Sequence, residues 1–169
     1  MRQRKCEIAE TFEYMSKEKG EKVKIMYKVE LYMENAGKSP ATRKEWYGYI
    51  LICAQLPEHT RKICEEFEGT KNQRDLVMLQ SALKRCNRCR LIVHTDSQYL
   101  VGGYYRMGKY LKNGWKNAKG EEIKNKELWQ QVHELIVEKG IQIEFILGKH
   151  DRTSWLQTEI KVARRNQNV

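Results

Sequence analysis

The sequence has no long apolar run. None approaches the ~20 residues of a membrane-spanning helix, so no such span is expected. The opening MRQRKCEIAE is charged and lacks the apolar stretch of a secretory signal. Five cysteines are an odd number without a disulfide framework, which points to a reducing, cytoplasmic setting. No internal repeat or second domain is visible, and 169 residues suffice for one domain with a sizeable core. Acids are scarce relative to bases: 22 Asp plus Glu stand against 32 Lys plus Arg, a net charge of +10. A polyanion is therefore the first partner to consider. A merely soluble basic protein explains the charge equally well.

What is present is ordered by period. KVKIMYKVELYME (22 to 34) places Val23, Ile25, Tyr27, Val29, Leu31 and Met33 two apart, a strand pattern. Residues 1 to 21 form an N-terminal extension, expected to be helical or loose, ahead of a domain over 22 to 169. NAGKSPATRK (35 to 44) reads as a loop, and strands follow at 45 to 55 and 60 to 69. Residues 70 to 86 place Leu76, Val77, Leu79 and Leu83 on one helical face. CRLIVHT (89 to 95) is the apolar run of a strand buried on both faces. Residues 96 to 113 predict one or two short helices, broken near Gly102 and Gly103. A helix over 124 to 140 ends at a capping glycine, a strand runs over 141 to 147, and a helix over 154 to 165 closes the chain. The order predicts an α/β fold: a five-stranded mixed sheet, three antiparallel strands then two more, flanked by helices.

Asp96 falls directly after the buried strand. Ligands of open α/β sheets gather at the carboxyl ends of strands. Taken alone, Asp96 or Ser97 is more simply a cap for the next helix. Three further acids change the balance. Glu34 ends the first strand, Asp75 lies early in the 70 to 86 helix, and Glu159 lies on the closing helix. Converging carboxylates need cations between them, and hard oxygen ligands suit Mg²⁺ or Mn²⁺. Two ions ~3.5–4 Å apart can activate water against a phosphodiester.

TDSQYLVGG (95 to 103), with YLKNGWKNAKGEEIKNKELWQ (110 to 130) after it, resembles the type 1 ribonuclease H family. The resemblance extends over roughly residues 22 to 165 and implies a ribonuclease H-like fold. It implies four acids holding two Mg²⁺ or Mn²⁺ ions and endonucleolytic cutting of the RNA strand of RNA–DNA hybrids, leaving 3′-hydroxyl and 5′-phosphate ends. Asp96 matches in TDSQY, and Asp75 falls at the family's helix glutamate. Glu34 falls at its first-strand aspartate. Glu159 falls at its closing-helix aspartate, counting from Gly148 without a gap. Three of the four positions thus exchange Asp and Glu. The family's glycine-rich first loop is replaced by NAGKSPATRKE. Lys149 stands at its loop histidine, with His150 one residue later and able to assist proton transfer, and Trp155 stands at a usual Asn.

Residues 105 to 126 hold Arg106, Lys109, Lys112, Lys116, Lys119 and Lys124 among Tyr105, Tyr110 and Trp115. Such a segment can neutralise phosphates and stack on sugars or bases, and the family uses it as a basic protrusion. A solvated helix with Leu111 and Trp115 in the core is the plainer alternative, and for Leu111 it is the expectation. Asn72 and Gln98 match family positions that hydrogen-bond the hybrid in its minor groove. CNRC (86 to 89) is a single CxxC without further ligands, hence two ordinary cysteines. His94, in the buried strand, is expected to be a satisfied core residue. The expectation is a cytoplasmic monomer acting on RNA–DNA hybrids. A nucleic-acid-binding module on the same fold, without efficient cleavage, is the alternative.

Overall fold

The computed structural model describes residues 12–15 and 22–168, with side chains described from residue 26 onward. β1 (Phe12–Met15) and β2 (Lys22–Ile25) pair antiparallel as a two-stranded sheet. β3 (Lys28–Asn35), β4 (Arg43–Cys53), β5 (Arg61–Gly69), β6 (Arg90–Thr95) and β7 (Gln142–Leu147) form one mixed sheet in the order β5-β4-β3-β6-β7. β4 runs antiparallel to both β3 and β5, whereas β3, β6 and β7 are parallel. The helices are α1 (Lys71–Arg85), α2 (Gln98–Lys112), α3 (Lys126–Lys139) and α4 (Thr153–Gln167). This is the mixed sheet flanked by helices that the sequence predicts. Among the described residues no helix is long and apolar enough to cross a membrane.

Successive strand residues point to opposite faces, and this alternation assigns the layers. Val29, Leu31 and Met33 of β3 join Tyr47, Tyr49 and Leu51 of β4 and Leu91 and Val93 of β6 in the main core. Leu76, Leu79 and Leu83 of α1, Leu100 of α2, and Trp129 and Val132 of α3 complete it. The opposite face carries Tyr32 and Ile50, which α4 covers with Leu156. Gly48 lets α4 come close, because a Cβ there would lie 2.8 Å from Ile160 Cγ1. Glu34 therefore faces the α4 side, and its neighbour Asn35 faces α1.

Four expectations are corrected. Residues 22 to 34 are two strands, separated at Met26 and Tyr27. The alternation Ile25, Tyr27, Val29 runs through the break, so periodicity cannot show that the pairing partner changes. Phe12–Met15, within the extension, is a strand, neither helical nor loose. The remainder of residues 1 to 21 lies outside the described residues. The boundary expected at residue 22 coincides with the start of β2. α2 is one continuous helix, unbroken at Gly102 and Gly103. Gly103 is there for packing: a Cβ would lie 2.1 Å from Trp129 Cζ2, so only glycine lets α2 and α3 approach. Leu111 is exposed rather than core.

The helix ends follow ordinary capping physics. Thr70 and Gln73 form a reciprocal capping box at α1. Ser97 Oγ accepts from Leu100 N at the start of α2. Gly140 ends α3 in a left-handed conformation, as expected from the sequence.

Candidate active site

The carboxyl ends of the parallel strands β3 and β6 lie side by side, with Tyr32 in register with His94. Glu34 is the penultimate residue of β3, and Asp96 follows β6. The N-terminal turns of α1 close the same end with Asp75. Because Ser97 supplies the cap of α2, Asp96 is free of that duty, and its side chain is 44% exposed. Asp75 is buried, at 4% side-chain exposure.

A buried carboxylate must find donors. Asp75 Oδ1 accepts from Asn35 Nδ2 at 3.2 Å, and its Oδ2 accepts from Lys71 Nζ at 2.8 Å. The Lys71 ammonium is also 3.9 Å from Asp96 Oδ1, so it stands between the two carboxylates. Asn35 is itself oriented by Arg74, whose Nε donates to Asn35 Oδ1 at 3.1 Å. Arg74 is wholly buried and donates further to the carbonyls of Gly69, Arg43 and Gly37. Burial lowers its pKa, while Glu45 and Asp75 oppose that shift. On the other face Glu34 Oε2 accepts from Gln157 Nε2 at 2.8 Å, and Gln157 reaches the Asn35 carbonyl at 3.4 Å.

The structure thus brings Glu34, Asp75 and Asp96 to one end of the sheet and leaves Glu159 elsewhere. Glu159 pairs with Lys62 of β5. Each helical residue advances ~100°, so Gln157 and Glu159 are about 200° apart around α4. Gln157 meets Glu34, and Glu159 points to the β5 edge. An ungapped count from Gly148 therefore lands on the wrong face.

His150 is near the site but not open to it. Its side chain is 4% exposed, with Nε2 3.1 Å from the Met33 carbonyl oxygen and 3.6 Å from Glu34 Oε1. Its ring stands edge-on to Tyr32, which stacks on His94 at 4.2 Å. Nδ1 is buried and meets no hydrogen-bond partner among the described residues. The expected proton-transfer role needs access to substrate, which this burial removes; His150 supports the backbone beneath Glu34. His94 is half-buried on the same face, with Glu30 Oε1 3.4 Å away.

The donor set suits a hard divalent ion. Among the described residues, however, no three His, Cys, Asp or Glu side chains are grouped closely enough to enclose one. Mg²⁺ does not require such a cage, since one or two carboxylates plus substrate phosphates and waters commonly hold it. Glu34, Asp75 and Asp96 fit that mode.

Asn72 and Gln98 are exposed at the starts of α1 and α2, where neither serves as the cap. Arg106, Lys109, Lys112, Lys116, Lys119 and Lys124 are exposed along α2 and the turn after it. Asn117 organises that turn by accepting from the amides of Lys119 and Glu121 at 2.9 and 3.0 Å. A cleft of about 330 Å³ between α2 and the turn is lined by Tyr99, Arg106, Tyr110, Lys124 and Trp129. Trp115 is half-buried, tilted against Tyr110 and edge-on to His133, so much of its ring serves packing. Cys86 and Cys89 are buried free thiols.

Comparison with known proteins agrees with this layout. The family model described as RNase H matches residues 27–159. A Ribonuclease H of Acetivibrio thermocellus is 36% identical over 114 residues, spanning 65% of this chain and 75% of that protein. A Ribonuclease H of Pseudomonas putida is 32% identical over 122 residues, spanning 71% and 80%. A crystal structure described as a type 1 RNase H with the type 2 active-site motif superposes with a TM-score of 0.65 at 21% identity, over 85% of this chain and 74% of that one. The solution structure of the PFV RNase H domain gives 0.57 at 17% identity, over 80% and 92%. At these identities the two structures speak for the fold alone.

Proposed function

We propose that this chain, which belongs to the ribonuclease H family, is a divalent-metal-dependent endonuclease that hydrolyses the RNA strand of RNA–DNA hybrids. What supports this reading is the position of Glu34, Asp75 and Asp96, on β3, α1 and the β6 tip, at one end of the sheet. Asp96 is the exposed acid and faces incoming substrate. Asp75 is held at both oxygens by Asn35 and Lys71, and Glu34 by Gln157, so neither needs to reorganise. Mg²⁺ or Mn²⁺ at these carboxylates would supply Lewis-acid charge to the scissile phosphate and the attacking water.

Binding falls to the exposed bases. Arg106, Lys109, Lys112, Lys116, Lys119 and Lys124 neutralise phosphates without regard to sequence. Asn72 and Gln98 flank the acids and can read the 2′-hydroxyls that distinguish RNA from DNA. Trp115 lends its open edge to the same surface. We take the protein to act as a cytoplasmic monomer, with the nuclease domain over 22 to 169, consistent with the free thiols of Cys53, Cys64, Cys86 and Cys89.

A second reading has its own support: neutral Gln157 stands where a fourth acid would close the site, which favours a hybrid-binding module with weak or no cleavage. Cutting of a labelled hybrid with Mg²⁺ or Mn²⁺ separates the two. The nuclease reading expects metal-dependent cleavage that Asp96→Asn abolishes while circular dichroism stays native. Unchanged cutting by Asp96→Asn would remove Asp96 from the site. Hybrid binding without cleavage in either metal would favour the module.

A further inference from the structure

The site holds fewer negative charges than a four-carboxylate centre, and it holds a fixed positive one. Glu34, Asp75 and Asp96 are its acids, and Gln157 donates to Glu34 through a neutral amide at 2.8 Å. Lys71 lies among them. Its Nζ is 2.8 Å from Asp75 Oδ2 and 3.9 Å from Asp96 Oδ1, and only 19% of its side chain is exposed. The position is built in: Lys71 and Asp75 are one turn apart on α1, and the capping box at Thr70 fixes the start of that turn. Asp75 cannot rotate away without giving up its bond from Asn35.

Charge balance then limits how many divalent ions the site can take. Four carboxylates carry four negative charges, matched by two divalent ions. Three carboxylates and one ammonium leave two negative charges, matched by one. A second ion between Asp75 and Asp96 would compete with the ammonium for Asp75 Oδ2 at short range and low exposure, where repulsion is weakly screened.

We propose that the Lys71 ammonium takes the place of one of the two divalent ions, so that the site binds a single ion. The inference rests on the reading of this site as a metal-dependent hydrolytic centre. Lys71 is a positioning residue here: it fixes Asp75 and supplies charge, while the ion sits toward Glu34 and Asp96.

The test counts ions rather than turnover. The 169-residue chain without nucleic acid is titrated with Mn²⁺, and free Mn²⁺ is read by electron paramagnetic resonance. Wild type is expected to bind one ion. Lys71→Met, which keeps the aliphatic stem and removes the charge, is expected to bind two, or to bind its first at least tenfold more tightly. Lys71→Arg keeps the charge and is expected to retain a count of one, which covers the case in which Lys71→Met does not fold. Two ions in wild type would overturn the inference, as would unchanged count and affinity in folded Lys71→Met or a count of two in Lys71→Arg. Hybrid cleavage measured alongside separates the failures. Two ions with cleavage overturns the role of Lys71 alone, whereas no bound ion and no cleavage overturns the hydrolytic reading itself.

Discussion

Replacing Gln157 by glutamate asks whether α4 really presents residue 157 to Glu34. The side chains are nearly isosteric, so packing is preserved and only a donor is exchanged for an acceptor. The amide nitrogen lies 2.8 Å from Glu34 Oε2 and 3.4 Å from the Asn35 carbonyl oxygen, and Glu34 is 9% exposed. Two carboxylates there would repel by ~4 kcal/mol at a charge separation of about 4 Å and an effective dielectric of ~20. Taking up one proton between them at pH 7 caps the penalty at a similar ~4 kcal/mol, since each unit above an ordinary glutamate value of ~4.3 costs ~1.4 kcal/mol. For a chain of this size that is roughly 8–16 °C in Tm. The sign with pH follows from linkage. The variant's carboxyl pair is raised in the folded state, so the deficit is absent below the ordinary carboxylate range and grows as pH rises through it. Added Mg²⁺ should restore more stability to Gln157→Glu than to wild type, because it binds the pair only when folded. The assay is thermal unfolding by circular dichroism, with chelator and with Mg²⁺, at acid and neutral pH. If the variant melted within about 1 °C of wild type in chelator at pH 7, residue 157 would not face Glu34. The reading of this helix face would then be wrong.

Other perturbations probe other links. Gly103→Ala would drive a methyl into the buried Trp129 ring, whose Nε1 is held by the Tyr99 hydroxyl at 3.1 Å; urea unfolding should show a net loss of about 2 kcal/mol despite the helix-propensity gain. Burial pushes the Tyr49 phenol up to about 12, so stability should be intact below pH ~10 and fall as pH rises toward 12, with Tyr49→Phe flattening the decline in urea midpoints. Replacing Lys109, Lys112 and Lys116 together by alanine should weaken hybrid binding equally across sequences. It should also flatten the plot of log affinity against log salt by roughly 0.7–0.9 per lost phosphate contact; an unchanged slope would mean a merely solvated face.

The fold was legible wherever one physical signal dominated. Val29, Leu31 and Met33 alternate because one face of β3 fills the main core while Glu30 and Glu34 lie on the other, and Gly140 marks a left-handed cap that tolerates little else. Glycine inside α2 misleads because its two uses, breaking a helix and allowing close approach, look the same in one dimension. The partner that distinguishes them, Trp129, lies 26 residues along the chain. Leu111 misleads for a related reason: an apolar residue reads as core until the helix turns it outward, where it is 43% exposed.

The place of Asp96 at the end of the sheet was legible because a strand tip and a local motif coincide there. The places of Glu34 and Asp75 at the same end were legible through the resemblance. Glu159 was not, because two residues on a helix reverse its face, and no sequence signal fixes the phase of α4 after the turn at 148 to 152. Lys71 could have been found, since a lysine four residues before a buried aspartate is a readable helical pair.

The buried Arg74 holds the loop that stands where the resemblance implies a glycine-rich turn. The family resemblance implies a glycine-rich turn after the first strand, and NAGKSPATRKE stands there instead. Such a loop needs something to hold it against the site. Arg74 does so from beneath: its guanidinium donates to the carbonyls of Gly37 and Arg43 at the two ends of the loop, to the Gly69 carbonyl ahead of α1, and to Asn35 Oδ1. The loop packs closely at Gly37, where a Cβ would lie 2.8 Å from Glu45 Cγ and 3.2 Å from Arg74 Nη2. Asn35 carries the restraint on to Asp75. One buried cation therefore orders the loop and aims a site carboxylate, and losing it would leave two buried acceptors, the Gly69 carbonyl and Asn35 Oδ1, unpaired at ~1–3 kcal/mol each. Loop and acid are parts of one hydrogen-bonded unit, so a change in the loop is felt at Asp75 through Arg74 and Asn35.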